Sequence, residues 1–133
     1  MEAESATADT KPKILVVEDD SDLLHMLKTM LHAVGDVWMA RDGQEALDLL
    51  EGGEVPDVIV TDLMMPRIDG LTLANRLRDH AQLCAVPLIM LSAKGAPQDM
   101  ASGLSAGVRH YMTKPFKATE LVDKVRRAIG RRA

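Results

Sequence analysis

Five short apolar runs alternate with five segments of helical spacing along this chain, and this alternation restricts the fold more than any other feature of the sequence. Each interval is long enough for a crossover connection, which favours parallel strands in one sheet with helices on both faces. We therefore predict a single doubly wound α/β domain with five strands. The predicted strands are residues 14–17, 37–40, 58–61, 88–91 and, more weakly, 111–113.

The first helical segment carries an apolar stripe that runs from Leu23 to Val34. Asp20 or Ser21 is expected to cap its start and Gly35 to stop it. The other predicted helices are residues 43–51, 71–79, 97–106 and 118–129. The fourth contains two serines and a glycine, which lower its helix propensity, and the fifth follows Lys117, where a capping residue would be usual.

The length of 133 residues suits one domain with a proper core. We divide the chain into a polar tail at residues 1–11, a folded domain at 12–130 and a tail or linker start at 131–133. The single cysteine, Cys84, cannot form an intramolecular disulfide, and no apolar run reaches the ~18 residues of a membrane span. Because the opening residues also lack a secretory pattern, we expect a cytoplasmic protein with no membrane association.

The net charge of −4 argues against binding to nucleic acid phosphates. The end of the chain is nevertheless locally basic between Lys124 and Arg132. We interpret this basic stretch as a solvated helix face or a linker.

Polar side chains follow four of the five predicted strands. Residues 18–20 are Glu-Asp-Asp, the third strand leads to Asp62, the fourth to Ser92 and the fifth to Lys114. Because the carboxyl ends of parallel strands meet at one edge of a sheet, where ligands bind, we expect these groups to converge.

The converging groups suit phosphoryl chemistry. Glu18, Asp19 and Asp62 form a hard oxygen site for Mg²⁺, with Mn²⁺ as the alternative. A carboxylate beside such an ion and the Lys114 ammonium can attack a phosphoryl group, and the Ser92 hydroxyl can donate to a phosphoryl oxygen. Taken singly, each residue has an ordinary explanation, such as a helix cap or a surface charge, and it is their joint occurrence that favours a site.

Four sequence blocks resemble, in order and spacing, the signature blocks of the receiver domain of two-component response regulators. They are "ILVVEDD", "DVIVTDLMMPRIDG", "PLIMLSAKG" and "YMTKPF", and the resemblance covers about residues 13–129. It implies a flavodoxin-like receiver fold and a switch activated by phosphorylation. Asp62 would accept the phosphoryl group from a phosphohistidine of a sensor histidine kinase or a histidine phosphotransfer protein.

The resemblance also implies the roles of the neighbouring residues. Glu18, Asp19, Asp62 and the backbone carbonyl of Met64 would hold Mg²⁺. Lys114 would pair with the phosphoryl group, and its peptide bond to Pro115 is expected to be cis. Two departures from the usual pattern are Glu18 in place of Asp at the first acid and Ser in place of Thr at position 92.

Ser92 and Tyr111 would form the switch pair, in which the aromatic side chain reorients when the hydroxyl moves towards the phosphoryl group. The signal would pass through the face made by the fourth helix, fifth strand and fifth helix, which would bind a downstream protein, an effector domain or a second copy of the chain. Met64 and Lys94, the second residues after Asp62 and Ser92, would set the lifetime of the phosphoryl group by controlling water access.

Two alternative functions use the same residues. One is a Mg²⁺-dependent phosphatase-like enzyme, but haloacid-dehalogenase phosphatases need a second acid where this chain has Met64, and toprim-type sites need a D-x-D that "DLM" lacks. The other is a pseudo-receiver that binds proteins without phosphoryl chemistry, against which the complete residue set argues. We expect a phosphoacceptor rather than an enzyme, with self-limited phosphoryl transfer and autodephosphorylation.

Overall fold

The computed structural model describes residues 11–65, 67–92 and 110–132 of the chain. Within these residues it contains five strands and four helices, and the helix predicted at residues 97–106 lies outside them. The elements in chain order are β1 (Lys13–Val17), α1 (Ser21–Leu31), β2 (Asp36–Ala40), α2 (Gly43–Glu51), β3 (Val58–Asp62), α3 (Gly70–Arg78), β4 (Leu88–Ser92), β5 (His110–Thr113) and α4 (Ala118–Arg132).

The five strands form one parallel sheet in the order β2-β1-β3-β4-β5. The chain passes from β1 to β2 on one side and then returns to place β3 on the other side of β1. The strand order therefore reverses between β1 and β3, and a crevice opens there at the carboxyl ends of the strands. The predicted doubly wound α/β fold is confirmed.

Two apolar clusters lie on opposite faces of the sheet. One contains buried side chains of α2 and α3, and the other contains those of α1 and α4. Strands β3 and β4 are buried along their whole length, because helices cover both of their faces. The prediction of helices on both faces is confirmed, and the site edge of the sheet rests on a packed core.

The helix ends differ from the predictions by a few residues. Asp20 caps α1, as one of the two predicted candidates, and its Oδ1 accepts the Asp22 N–H at 2.9 Å. The helix ends at Leu31, before the predicted stop, and a tighter turn follows in which the Val34 N–H donates to the Leu31 carbonyl oxygen at 2.9 Å. Helix α3 begins one residue earlier than predicted, and α4 continues to Arg132.

The start of α4 has a cap that its first residue does not supply. The backbone N–H of Lys117 donates to Oε1 of Glu120 at 2.9 Å, which is the reciprocal half of a capping box. Glu120 therefore satisfies the N–H of Lys117, while the Lys117 side chain offers no oxygen to the N–H groups of the first turn. The division of the chain into tails and domain stays a prediction.

Gly35 is required by a close approach of the backbone, which gives a test of how the turn after α1 packs against Pro12, the residue before β1. A Cβ atom built at Gly35 would lie 2.3 Å from the carbonyl oxygen of Pro12, whereas a Cβ at Gly130 in α4 would meet nothing within 4 Å. We expect Gly35→Ala to lower the free energy of unfolding by about 1–3 kcal/mol. Gly130→Ala should raise it by up to about 1 kcal/mol, because alanine favours a helix. Urea denaturation measures both changes. A free energy of unfolding that is the same in Gly35→Ala as in the parent would contradict this packing.

Candidate functional site

The strand register places the two buried acids side by side. Val17 at the end of β1 pairs with Thr61 in β3, so that Glu18 and Asp62 follow at neighbouring positions. Carboxylate oxygens of Glu18, Asp19 and Asp62 all lie within 4.8 Å of one another. Glu18 and Asp62 are buried, while Asp19 is exposed. The structure thus brings together the three acids that the sequence predicts.

Lys114 reaches the same site from β5, the strand at one edge of the sheet. Its backbone N–H donates to the carbonyl oxygen of Ser92 at 2.8 Å, which continues the pairing of β5 with β4. Its ammonium nitrogen lies 2.9 Å from Oδ1 of Asp62 and 3.7 Å from Oε1 of Glu18. The Lys114–Pro115 peptide bond is cis, as the resemblance implied.

Glu18 carries the largest electrostatic perturbation of the site. Its side chain is 2% exposed, and Oε2 accepts the Asp20 N–H at 3.1 Å. Burial raises the pKa of Glu18 to about 7; the negative charge of Asp62 adds to the rise, and the Asp20 N–H and the Lys114 ammonium oppose it. The negative charge of the buried Glu18 carboxylate is therefore poorly compensated by its surroundings.

One oxygen of Glu18 lacks a hydrogen-bond donor. Among the described residues, Oε1 of Glu18 is buried without a hydrogen-bond partner, and the Lys114 ammonium is beyond hydrogen-bond distance from it. Buried polar atoms without a partner are rare in folded proteins. A cluster of three carboxylates with a free buried oxygen fits a hard divalent cation, which prefers oxygen ligands.

The remaining predicted residues are placed as follows. Ser92 is buried at the end of β4, one position beyond Leu91, which pairs with Asp62. Tyr111 is partly buried on β5 and packs against the cluster that covers α2 and α3. Met64 is 68% exposed, so most of its side chain faces solvent. Lys94 lies outside the described residues.

The loop between β3 and α3 is held close to Asp62 by the backbone. The N–H of Gly70 donates to the carbonyl oxygen of Leu63 at 2.9 Å, and a Cβ at Gly70 would lie 2.6 Å from the carbonyl oxygen of Asp62. Asp69 caps α3 with its side chain. Only glycine therefore allows α3 to begin so near the predicted phosphoacceptor.

Sequence reasoning missed two charged residues beside the site. Asp42 caps α2 by accepting the Glu45 N–H at 2.8 Å, and it also forms an ion pair with the Arg67 guanidinium. The cap could have been found, because an Asp followed three residues later by a Glu is typical of a helix start. The ion pair had no sequence signal, since its partners are 25 residues apart.

The fold and the site together define a flavodoxin-like signalling domain, with an acid cluster and a lysine at the switch point of the sheet. The sequence model of the response regulator receiver domain matches residues 14–126. The chain belongs to this family, and a phosphoacceptor signalling switch of two-component systems fits its sequence and fold.

Individual relatives agree with this assignment. The chain is 39% identical over 124 residues to the probable transcriptional regulator ycf27 of Guillardia theta, covering 92% of this chain and 47% of that protein. It is 40% identical over 120 residues to the transcriptional regulatory protein CpxR of Escherichia coli, covering 90% of this chain and 50% of that protein. The chain thus spans about half the length of these curated relatives.

A solved structure extends the comparison to three dimensions. The receiver domain of the Francisella response regulator 1452 superposes with a TM-score of 0.83 at 39% identity, covering 92% of this chain and 99% of that chain. In the part of this chain that the structure describes, no helix has the length and apolar character needed to cross a membrane.

The raised pKa of Glu18 predicts a dependence of stability on pH in metal-free buffer. The folded-state pKa of about 7 exceeds the ordinary value of 4.5, so between these values the folded state keeps a proton that the unfolded state has released. The Glu18 contribution therefore lowers the free energy of unfolding as pH rises from about 4.5 to about 7. We expect Glu18→Gln to remove this contribution and to flatten the profile.

Denaturation with a metal chelator present, at half-unit steps of pH, measures this effect. Glu54→Gln is the matched control, because Glu54 is exposed and lies outside the site. Equal slopes for the parent and Glu18→Gln would contradict the assignment of the perturbed pKa to Glu18.

Proposed function

We propose that Asp62 is the phosphoacceptor of this domain. The observation that carries the proposal is a buried carboxylate at the switch point of the sheet, with an ammonium 2.9 Å from its Oδ1. A carboxylate oxygen of Asp62 attacks the phosphorus of a phosphohistidine and forms an O–P bond. The P–N bond breaks as its electron pair returns to the imidazole nitrogen, which leaves.

Glu18, Asp19, Asp62 and the Met64 carbonyl would hold the divalent cation, which we propose is Mg²⁺, with Mn²⁺ as the alternative. Two observations support this ligand set. Oε1 of Glu18 has no hydrogen-bond partner among the described residues, and the three carboxylates are closely spaced. When bound, the ion offsets the negative charge that the phosphoryl group brings to the carboxylates.

Lys114 and Ser92 act on the phosphoryl oxygens in this proposal. The Lys114 side chain is 30% exposed, so its ammonium has room to move from Asp62 to an oxygen of the new phosphoryl group. The Ser92 hydroxyl donates to another oxygen. Tyr111, which is partly buried on the neighbouring strand β5, then reorients and passes the change to the signalling face predicted for residues 97–106, β5 and α4.

The partners follow from the chemistry and from the relatives. A sensor histidine kinase or a histidine phosphotransfer protein supplies the phosphoryl group. The relatives named above are transcriptional regulators about twice as long as the matched region, which supports an effector domain or a separate downstream protein as the receiver of the signal. A homodimer is the alternative output, in which a second copy of the chain binds the face predicted for residues 97–106, β5 and α4.

Replacing the phosphoacceptor tests the proposal directly. We expect Asp62→Asn to abolish acid-labile phosphorylation by a small phosphodonor, because an amide is a poor nucleophile. Chelation of Mg²⁺ should abolish it in the parent. Intact-protein mass spectrometry measures the gain of one phosphoryl group.

Asp69→Asn is the matched control, since asparagine can still cap α3 and the site acids stay unchanged. Phosphate that persists on Asp62→Asn would place the chemistry on another residue. Continuous turnover of the donor, without a phosphorylated protein, would instead indicate a phosphatase-like enzyme.

The residue at position 64 should affect how long the phosphoryl group lasts. Hydrolysis needs a water molecule in line with the phosphorus, and the Met64 thioether is too weak an acceptor to hold it. We expect Met64→Asn to shorten the lifetime several-fold, and Lys94→Ala to have the smaller effect. The decay of phosphorylated protein after removal of the donor measures this at fixed Mg²⁺ and pH. An unchanged or slower decay in Met64→Asn would show that position 64 does not limit hydrolysis.

A further inference from the structure

The segment of residues 40–43, which runs from the last residue of β2 to the first residue of α2, contacts both of the loops that carry the proposed metal ligands. It supplies no proposed ligand itself. On one side, the carbonyl oxygen of Ala40 accepts the backbone N–H of Glu18 at 3.0 Å. This hydrogen bond fixes the start of the loop that bears Glu18 and Asp19. The segment is therefore tied to the first ligand loop through the backbone.

On the other side, the same segment holds the loop after Asp62. A Cβ at Gly43 would lie 2.5 Å from the carbonyl oxygen of Ile68 and 2.7 Å from its Cβ, so Ile68 sits directly on the first turn of α2. The Asp42 side chain pairs with the Arg67 guanidinium one residue earlier in that loop. Two adjacent contacts thus fasten the second ligand loop.

Asp42 is well suited to hold its partner. Its Oδ1 accepts the Glu45 N–H, which orients the carboxylate and leaves Oδ2 to Arg67. These two contacts keep the pKa of Asp42 below its ordinary value, with the Glu45 N–H as the larger cause, so the carboxylate stays ionised. The side chain of Asp42 is 18% exposed, and that of Arg67 is 66% exposed.

Arg67 has a backbone conformation that residues with side chains rarely adopt. Its φ angle is 66°, in the left-handed region, and among the described residues it is the one non-glycine residue with positive φ. Such a conformation persists where surrounding contacts hold it. The ion pair with Asp42 is the contact that its side chain makes across to another element.

We propose that Asp42 is a positioning residue for the metal site, acting through Arg67. Their ion pair holds Arg67, and with it the Met64 carbonyl of the same loop, in place relative to the loop that bears Glu18 and Asp19. This inference rests on the proposed function, in which those acids and that carbonyl bind a divalent cation. Neither Asp42 nor Arg67 is among the proposed ligands of the ion.

Mg²⁺ titration by calorimetry on the full chain tests the proposal. The variants are Asp42→Asn, Arg67→Gln, their double variant and Arg67→Lys. Asparagine can keep the α2 cap while losing the charge, and glutamine and lysine are both unbranched at Cβ but differ in charge. We expect each of the two charge-removing single changes to weaken Mg²⁺ binding about three- to fivefold, the range of a surface ion pair.

The double variant should bind no more weakly than either single variant, because one interaction is lost in all three. Arg67→Lys should keep most of the parent affinity, and high salt should reduce the difference between the parent and the variants. Denaturation in metal-free buffer gives the stability of each variant, and a change in stability without a change in affinity would overturn the positioning role.

The remaining outcomes distinguish a failure of the positioning role from a failure of the proposed metal site. Parent-like Mg²⁺ affinity in Asp42→Asn and Arg67→Gln would overturn the positioning role while leaving the metal site intact. Losses that multiply in the double variant would also overturn it, because the two residues would then act independently. A parent chain that fails to bind Mg²⁺ would refute the metal site itself, and the positioning role with it.

Discussion

The structure depends on how it tolerates two buried carboxylates next to each other. Glu18 and Asp62 would repel each other and resist leaving water, and the Lys114 ammonium near both offsets part of that cost. The positive charge of Lys114 compensates the two carboxylates only in part. The pKa of Glu18 is raised, and its Oε1 has no hydrogen-bond partner among the described residues. An arrangement that is short of positive charge favours the binding of a cation. In the proposed function, that cation would also offset the negative charge that the phosphoryl group brings.

The parallel sheet holds these charged groups in their positions. Hydrogen bonds along β1, β3 and β4 fix the height of each strand end, so the charged groups are placed by the backbone rather than by long flexible side chains. The two apolar clusters on either face hold the strands in position. The ends of the strands therefore rest on a packed core, while the partly exposed Lys114 side chain stands at the open side of the site.

The loops around the site are joined to each other as well as to the strands. The segment of residues 40–43 meets the Glu18 loop through a backbone hydrogen bond and the loop after Asp62 through Asp42 and Gly43. Ligands carried by separate loops can bind one ion well only if the loops keep a fixed distance. A segment without ligands can thus contribute to affinity, in the same way that a residue behind a ligand does.

The sequence by itself determined the fold class and pointed to the three acids and the lysine that the structure brings together. Apolar runs of strand length alternating with helical stripes exclude most other architectures, and the polar residues at the strand ends are readable because parallel strands share one edge. The receiver family followed from the same blocks. Helix boundaries were less accurate, as the early end of α1 shows, because local turn contacts and the approach of Pro12 to Gly35 decide them.

Only the tertiary structure decided how strongly each group is perturbed and what holds the loops. The depth of Glu18 and the exposure of Met64 depend on the packing of the whole edge, which spacing along the chain does not encode. The pairing of Asp42 with Arg67 joins residues far apart in sequence, and the left-handed backbone of Arg67 has no signature in its side chain. These features arise from close contacts between elements, so they exist only once the chain has folded.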